Sequence, residues 1–256
     1  MANNKVEQFK NNIKGKKVSV IGIGVSNIPA IKYLNKIGAN IIARDKNTQI
    51  PELKDLNNIE FILGEDYLKG LDESDYIFRS PGVKPFLPEI EEAVKKGVIL
   101  TSEIETLIHL TDATVIAITG SDGKTTSTTL TTLFLEAAGK NVYVGGNIGI
   151  PLLDKVEEMT KDDYVVLELS SFQLMTMKEK IDRAAITNVS PNHLDYHRDY
   201  EEYIEAKANV FKCQDEFGIL VLNEDNEYTS RYEKQAKGSV RKFSLEKETG
   251  CGVYHK

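Results

Sequence analysis

TVIAITGSDGKTT (114–126) decides the fold: an apolar, β-branched run stops at a glycine-bearing loop, and an apolar-periodic stretch over 125–138 starts at its threonines. Strand, glycine loop and helix in that order let loop N–H groups close around a phosphate, and the helix N-terminus adds its partial positive charge. On this reading Gly120, Ser121, Asp122, Gly123, Lys124, Thr125 and Thr126 form the cradle. Lys124 reaches the terminal phosphates, and the Thr125 hydroxyl sits on Mg2+. The strict Walker pattern has another glycine five residues before Gly123, where this chain has Ile118, so the loop is a shortened variant. The plainer alternative is a glycine-rich β–α turn with a solvated lysine.

Outward from this loop, short β-branched runs alternate with longer amphipathic ones. Strands are expected at 17–21, 40–44, 59–63, 75–78, 114–119, 141–145, 164–169, 183–189 and 218–223. Helices are expected at 27–37, 88–96, 103–110, 125–138 and 200–212. The alternation implies an α/β fold with parallel sheets covered by helices on both faces. A second glycine turn, GIGVSN (22–27), follows the first strand, and Asp45 ends the next. A carboxylate about 20 residues beyond a glycine turn almost matches the dinucleotide fingerprint, but Asn27 replaces the third glycine. A nucleotide-type ligand, NAD(P) itself and a purely structural turn all remain open there. Ser80-Pro81-Gly82 follows the fourth strand, at the edge where ligands of such sheets collect. Two strand–glycine–helix units suggest two domains, 1–100 and 101–256. The closing CGVYHK (251–256) reads as a strand beginning, so the second domain is expected to be incomplete.

Composition narrows the function classes. The 256 residues carry a formal net charge of −7, which argues against nucleic-acid binding through a basic face. Two cysteines make no disulfide framework and suit a reducing compartment. The polar, lysine-rich N-terminus has no signal-peptide core, and the apolar runs stop short of the ~18 residues that would span a bilayer. A soluble, cytoplasmic, monomeric protein without membrane insertion is expected.

The remaining motifs lie after strands. Glu168 ends the apolar run YVVLEL (164–169), and a carboxylate in such a run needs a partner. Beside a phosphate loop that partner is Mg2+; otherwise Glu168 is a solvent-facing strand end. GGNIG (145–149) presents Asn147. In RAAITNVSPNHLDYHRDYEEYIEAKANVF (183–211), His193, Asp195 and His197 crowd one loop, and Asp199 with Glu202 makes a capping box for the helix carrying Lys207. HLDYH lacks the general base of a zinc-protease motif, because Leu194 stands in its place. Taken alone, Lys207 reads as a solvated helix lysine.

Together TGSDGKTT (119–126), GGNIGIPL (145–152), LELSSFQL (167–174), NVSPNHLDYH (188–197) and EAKANVF (205–211) resemble the Mur ligase family. The SSFQL and SPNHLD wordings are most similar to the branch that adds D-glutamate. The resemblance implies a Rossmann-like UDP-binding N-terminal domain and a P-loop, ATP-binding central domain. It also implies peptidoglycan synthesis by ATP-dependent amide formation through an acyl phosphate, with UDP-N-acetylmuramoyl-L-alanine and D-glutamate as substrates. Lys124, His193 and Lys207 would be catalytic. Thr125 and Glu168 would hold one Mg2+, and His193 with a carbamate on Lys207 a second. Val25 and Ser26 would approach the diphosphate and Asp45 the uracil, with Ser80, Pro81 and Gly82 on the sugar nucleotide. Asn147, Ser170, Gln173 and His193 would meet the muramoyl–alanine end. Two departures are Asp122 where the family often has Asn, and Asn192 before His193 where many members have Asp. The family also carries a third, C-terminal domain that this chain does not show, so a fragment unable to complete ligation is expected. An NAD(P)-linked oxidoreductase and a non-catalytic nucleotide-binding module are the alternatives.

Overall fold

The computed structural model describes residues 3–24, 27–50, 53, 56, 59–191 and 196–255. They form two compact units, Met1–Thr111 with Pro151–Met159, and Asp112–Ile150 with Thr160–Lys256.

The first unit runs α1 (Asn4–Ile13), β1 (Lys17–Ile21), α2 (Asn27–Lys36), β2 (Asn40–Asp45), β3 (Ile59–Leu63), β4 (Tyr76–Arg79), α3 (Pro88–Lys95), β5 (Ile99–Thr101) and α4 (Glu103–Leu110). Its sheet is parallel, in the order β3-β2-β1-β4-β5. The chain leaves β1 in one direction and returns to β4 on its other side, so the carboxyl ends of β1 and β4 flank a topological switch point. Below it pack Ile21, Leu71, Ile77, Ile90, Ala93 and Val98. Burying side chains of this kind stabilises by about 1.5–3 kcal/mol for each large one.

The second unit runs β6 (Thr114–Thr119), α5 (Lys124–Ala137), β7 (Val142–Gly146), β8 (Tyr164–Glu168), α6 (Ser171–Leu174), β9 (Arg183–Ile186), α7 (Tyr200–Lys212), β10 (Ile219–Asn223), α8 (Glu227–Arg231), β11 (Ser239–Ser244) and β12 (Gly252–Tyr254). The sheet order is β12-β11-β10-β9-β6-β8-β7, again with parallel pairs. Register pairs Ile118 with Glu168 and Thr119 with Ile186, so β6, β8 and β9 finish side by side.

Where the sequence suggests a division near residue 100, the structure divides at Thr111 and returns Pro151–Met159 to the first unit. The cause is burial. Ile104, Leu107, Ile108 and Leu110 of α4 are covered, as are Leu152, Leu153 and Val156. The Glu103 carboxylate, also buried, accepts the Leu152 and Leu153 N–H groups, both at 2.9 Å. Burial pushes Glu103 up to about 7 despite those two bonds, which favour its charged form.

Candidate functional site

The glycine loop after β6 draws two lysines of the second unit together. Gly120 adopts φ 152°, and a Cβ there would stand 1.8 Å from Thr187 Oγ1, so only glycine lets the loop pass the end of β9. Gly123, left-handed with φ 78°, caps α5 without a side-chain hydrogen bond. Lys124 folds back so that Nζ donates to the carbonyls of Gly120 and Ser121, both at 2.9 Å. Lys207 reaches the same Gly120 carbonyl from α7, at 2.7 Å. Two cationic side chains thus converge on one oxygen of the loop.

Lys207 is 2% exposed, and its ammonium lies 4.5 Å from the centre of the Tyr203 ring. Burial first and the Lys124 charge second lower its pKa, Asp122 opposes them, and the result is about 7. A lysine at that value carries a substantial neutral, nucleophilic fraction at neutral pH. Tyr203 hydrogen-bonds through its hydroxyl to Ser121 Oγ at 2.8 Å, tying α7 to the loop a second time.

Glu168 is 1% exposed at the end of β8. Thr125 Oγ1 donates to its Oε2 at 2.8 Å and Asn147 Nδ2 to its Oε1 at 2.9 Å. Gly146 makes the second bond possible, because a Cβ there would sit 2.1 Å from the Glu168 carbonyl. Asn147 N then donates to that carbonyl at 2.7 Å, fixing the asparagine beside the acid. A carboxylate and a hydroxyl at hydrogen-bond distance form a hard oxygen pair of the type Mg2+ prefers.

Ser170 and Gln173 cap α6 for each other: Ser170 Oγ accepts Gln173 N at 3.3 Å, and Gln173 Oε1 accepts Ser170 N at 2.9 Å. At α7 the expected capping box is only half formed. Asp199 accepts Glu202 N at 2.8 Å, but the Glu202 carboxylate accepts Arg198 N at 2.8 Å, one residue before the cap. His197 is buried, with Nε2 2.9 Å from Ser171 Oγ.

In the first unit Asp45 closes the turn after β1. Its Oδ2 accepts Ile23 N at 2.5 Å and its Oδ1 accepts Asn47 N at 2.7 Å. Asn27, 1% exposed, donates to the carbonyls of Ile21 and Gly22 at 3.2 and 2.9 Å, standing in for the close packing a third glycine would permit. The Ser80-Pro81-Gly82 turn lies alongside, with Ser80 N donating to Ile21 O at 2.9 Å. Val25, Ser26 and His193 lie outside the described residues.

Sequence reasoning missed two buried arginines of the first unit. Arg79 is buried and donates through Nη1 to the carbonyls of Ser80 and Val83, at 3.2 and 2.7 Å. Arg44 is buried too, its Nε on Ser19 Oγ at 2.8 Å and its Nη1 on the Lys69 carbonyl at 2.6 Å. Burial lowers its pKa. Both flank Ile21 in register, and their one sequence signal is a charged residue in a buried strand.

Residues 118–254 match the Mur ligase middle domain, and residues 16–102 match the Mur ligase MurD-like N-terminal domain. UDP-N-acetylmuramoylalanine–D-glutamate ligase of Ruminiclostridium cellulolyticum is 50% identical over 99% of this chain and 56% of its own length. The enzyme of that name from Clostridium tetani is 47% identical over the same shares. The chain thus spans 56% of the length of these curated relatives. Among solved structures, UDP-N-acetylmuramate:L-alanyl-gamma-D-glutamyl-meso-diaminopimelate ligase of Neisseria meningitides shares the fold, with a TM-score of 0.58 at 19% identity over 92% of this chain and 82% of that one. UDP-N-acetylmuramate-alanine ligase of Thermotoga maritima does so with a TM-score of 0.51 at 20% identity, over 91% of this chain and 53% of that one.

Proposed function

The chain belongs to the Mur ligase family, and we propose that it is the sugar-nucleotide- and ATP-binding part of a ligase that joins D-glutamate to UDP-N-acetylmuramoyl-L-alanine in peptidoglycan synthesis. The observation that carries this reading is the Thr125–Glu168 pair, 2.8 Å apart, directly behind a lysine-bearing glycine loop. In the first unit the Asp45 carboxylate accepts the Ile23 N–H, and Asn27 stands where the dinucleotide fingerprint has its third glycine.

In the proposed reaction the substrate carboxylate attacks the γ-phosphorus of ATP. The bond to the bridging oxygen breaks, ADP leaves, and an acyl phosphate forms. The D-glutamate amine adds to that carbonyl, and the tetrahedral adduct expels phosphate and loses a proton to give the amide. Positioning and charge neutralisation dominate phosphoryl transfer, and the chain's own residues fit those tasks. Lys124 exchanges its two loop carbonyls for phosphate oxygens. Asn147 holds the Glu168 carboxylate in place. The hard oxygen atoms of Thr125 and Glu168 fit Mg2+ and would hold it, and that ion would neutralise phosphate charge. The neutral amine of Lys207 adds to carbon dioxide, forming an N–C bond and releasing a proton; the resulting carbamate and His193 would hold the second Mg2+.

Calorimetric titration tests the reading. One-to-one binding of UDP-N-acetylmuramoyl-L-alanine is expected, with separate binding of MgATP. Residues 1–256 by themselves are expected not to ligate, and steady phosphate release that depends on D-glutamate would overturn that part. Absence of binding by either ligand would overturn the corresponding site.

A further inference from the structure

The backbone of the glycine loop changes character at Gly123. Before it, the N–H groups of Ser121 and Asp122 both point at one oxygen, Asn188 Oδ1, at 3.1 and 2.9 Å. Two successive N–H groups converging on a single oxygen is the geometry of an anion nest. Here the nest is filled by a neutral side chain from the residues just after β9. Asn188 also accepts the Ser121 N–H on its own carbonyl at 3.0 Å, and its Nδ2 donates to the Asp122 carbonyl at 3.2 Å. Thr187 Oγ1 adds a bond of 2.6 Å to that carbonyl. From Gly123 onward the situation differs. Ser127 N pairs with Gly123 O inside α5, and Gly123 caps the helix with no side-chain bond.

We propose that Asn188 is a positioning residue for the nucleotide, occupying the inner half of the loop's nest so that the phosphates must use the N–H groups of Gly123 to Thr126, next to Thr125 and Glu168. The loop is shortened, with Ile118 where a longer one has glycine, and the Asn188 amide bonds to both Ser121 and Asp122 within it. The amide is suited to the task because it offers an acceptor and a donor without charge. A carboxylate in its place would still accept both N–H groups but would face the phosphates. The inference rests on the ATP-binding reading above.

Calorimetry on wild type, Asn188→Ala and Asn188→Asp, with MgATP and separately with UDP-N-acetylmuramoyl-L-alanine, tests it. Asn188→Ala is expected to bind MgATP about tenfold more weakly, and Asn188→Asp several-fold more weakly again, with the extra loss shrinking as salt rises. Sugar-nucleotide affinity should stay within about twofold of wild type for both. A purely structural brace predicts the opposite order, because aspartate keeps the two N–H bonds that alanine loses. Asn188→Asp milder than Asn188→Ala therefore overturns the proposal, as does loss of both ligands together with a lowered Tm, or MgATP affinity unchanged in both variants. Wild type failing to bind MgATP overturns the ATP-binding reading itself, and the proposal with it. Wild-type binding that is insensitive to Asn188 removes only the proposal.

Discussion

The turn after β1 and the turn after β6 occupy equivalent places in two parallel sheets, and their polar groups are satisfied by groups of opposite sign. In the first unit an anionic side chain, Asp45, takes the Ile23 N–H, and the neutral Asn27 amide covers the Ile21 and Gly22 carbonyls. In the second unit two lysines take the Gly120 carbonyl, and the neutral Asn188 amide covers the Ser121 and Asp122 N–H groups. Glycine-turn geometry is therefore a poor guide to the ligand. The two turns share a place in the sheet and differ in the charge of the group that finishes them.

The strongest way to break this comparison is Lys124→Ala. We expect a loss of MgATP affinity on the order of a thousandfold, about 4 kcal/mol, with sugar-nucleotide binding unchanged by calorimetry. Equal loss of both ligands would mean that the two turns do not serve separate sites. Next in size, Gly120→Ala should destabilise by about 3 kcal/mol in denaturant titration, because its Cβ meets Thr187 Oγ1 at 1.8 Å. Gly24→Ala, with nothing among the described residues within 4 Å of its Cβ, should be close to neutral.

Glu103 sharpens the contrast through pH. Its folded-state pKa of about 7 lies above the unfolded value, so the folded state holds the proton more tightly. The stability it contributes is complete below the unfolded value, near pH 4.5, and is lost as pH rises through 7. Glu103→Gln should remove that loss and be more stable than wild type by roughly 2–3 kcal/mol at pH 8, with little difference at pH 4.5. A Tm difference independent of pH would contradict it. A smaller loss of binding is expected from Asp45→Ala than from Lys124→Ala, about tenfold in sugar-nucleotide affinity with MgATP unchanged.

Much of the architecture was legible because it rests on local periodicity. The expected strands at 17–21, 59–63 and 114–119 and the helix at 103–110 match β1, β3, β6 and α4. The helix α1 was not read, since a lysine- and asparagine-rich segment shows little of its apolar face; only Val6 and Ile13 are buried. β5 is three residues long, too short for an alternating pattern. At the candidate site, the loop and Glu168 carry their own signal: glycines after a strand, and a charge in an apolar run. Lys207 carried none, because a helix lysine looks the same whether solvated or buried. Arg44, Arg79 and Asn188 were missed for a related reason. Arg44 and Asn188 serve backbone groups of distant segments, while Arg79 serves the carbonyls of Ser80 and Val83 just after it; in all three the partners are backbone groups, which the identity of neighbouring side chains does not mark.

What the sequence by itself determined was the order of strands and helices, the presence of two glycine turns and the family. These follow from short-range periodicity, turn chemistry and ordered motifs. The tertiary structure alone decided that residues 151–159 return to the first unit, that Lys207 is buried against Gly120, and that one turn is finished by a carboxylate and the other by lysines. Those outcomes depend on which strands become neighbours in a parallel sheet. Burial and charge proximity come into being only when segments far apart in the chain finish side by side.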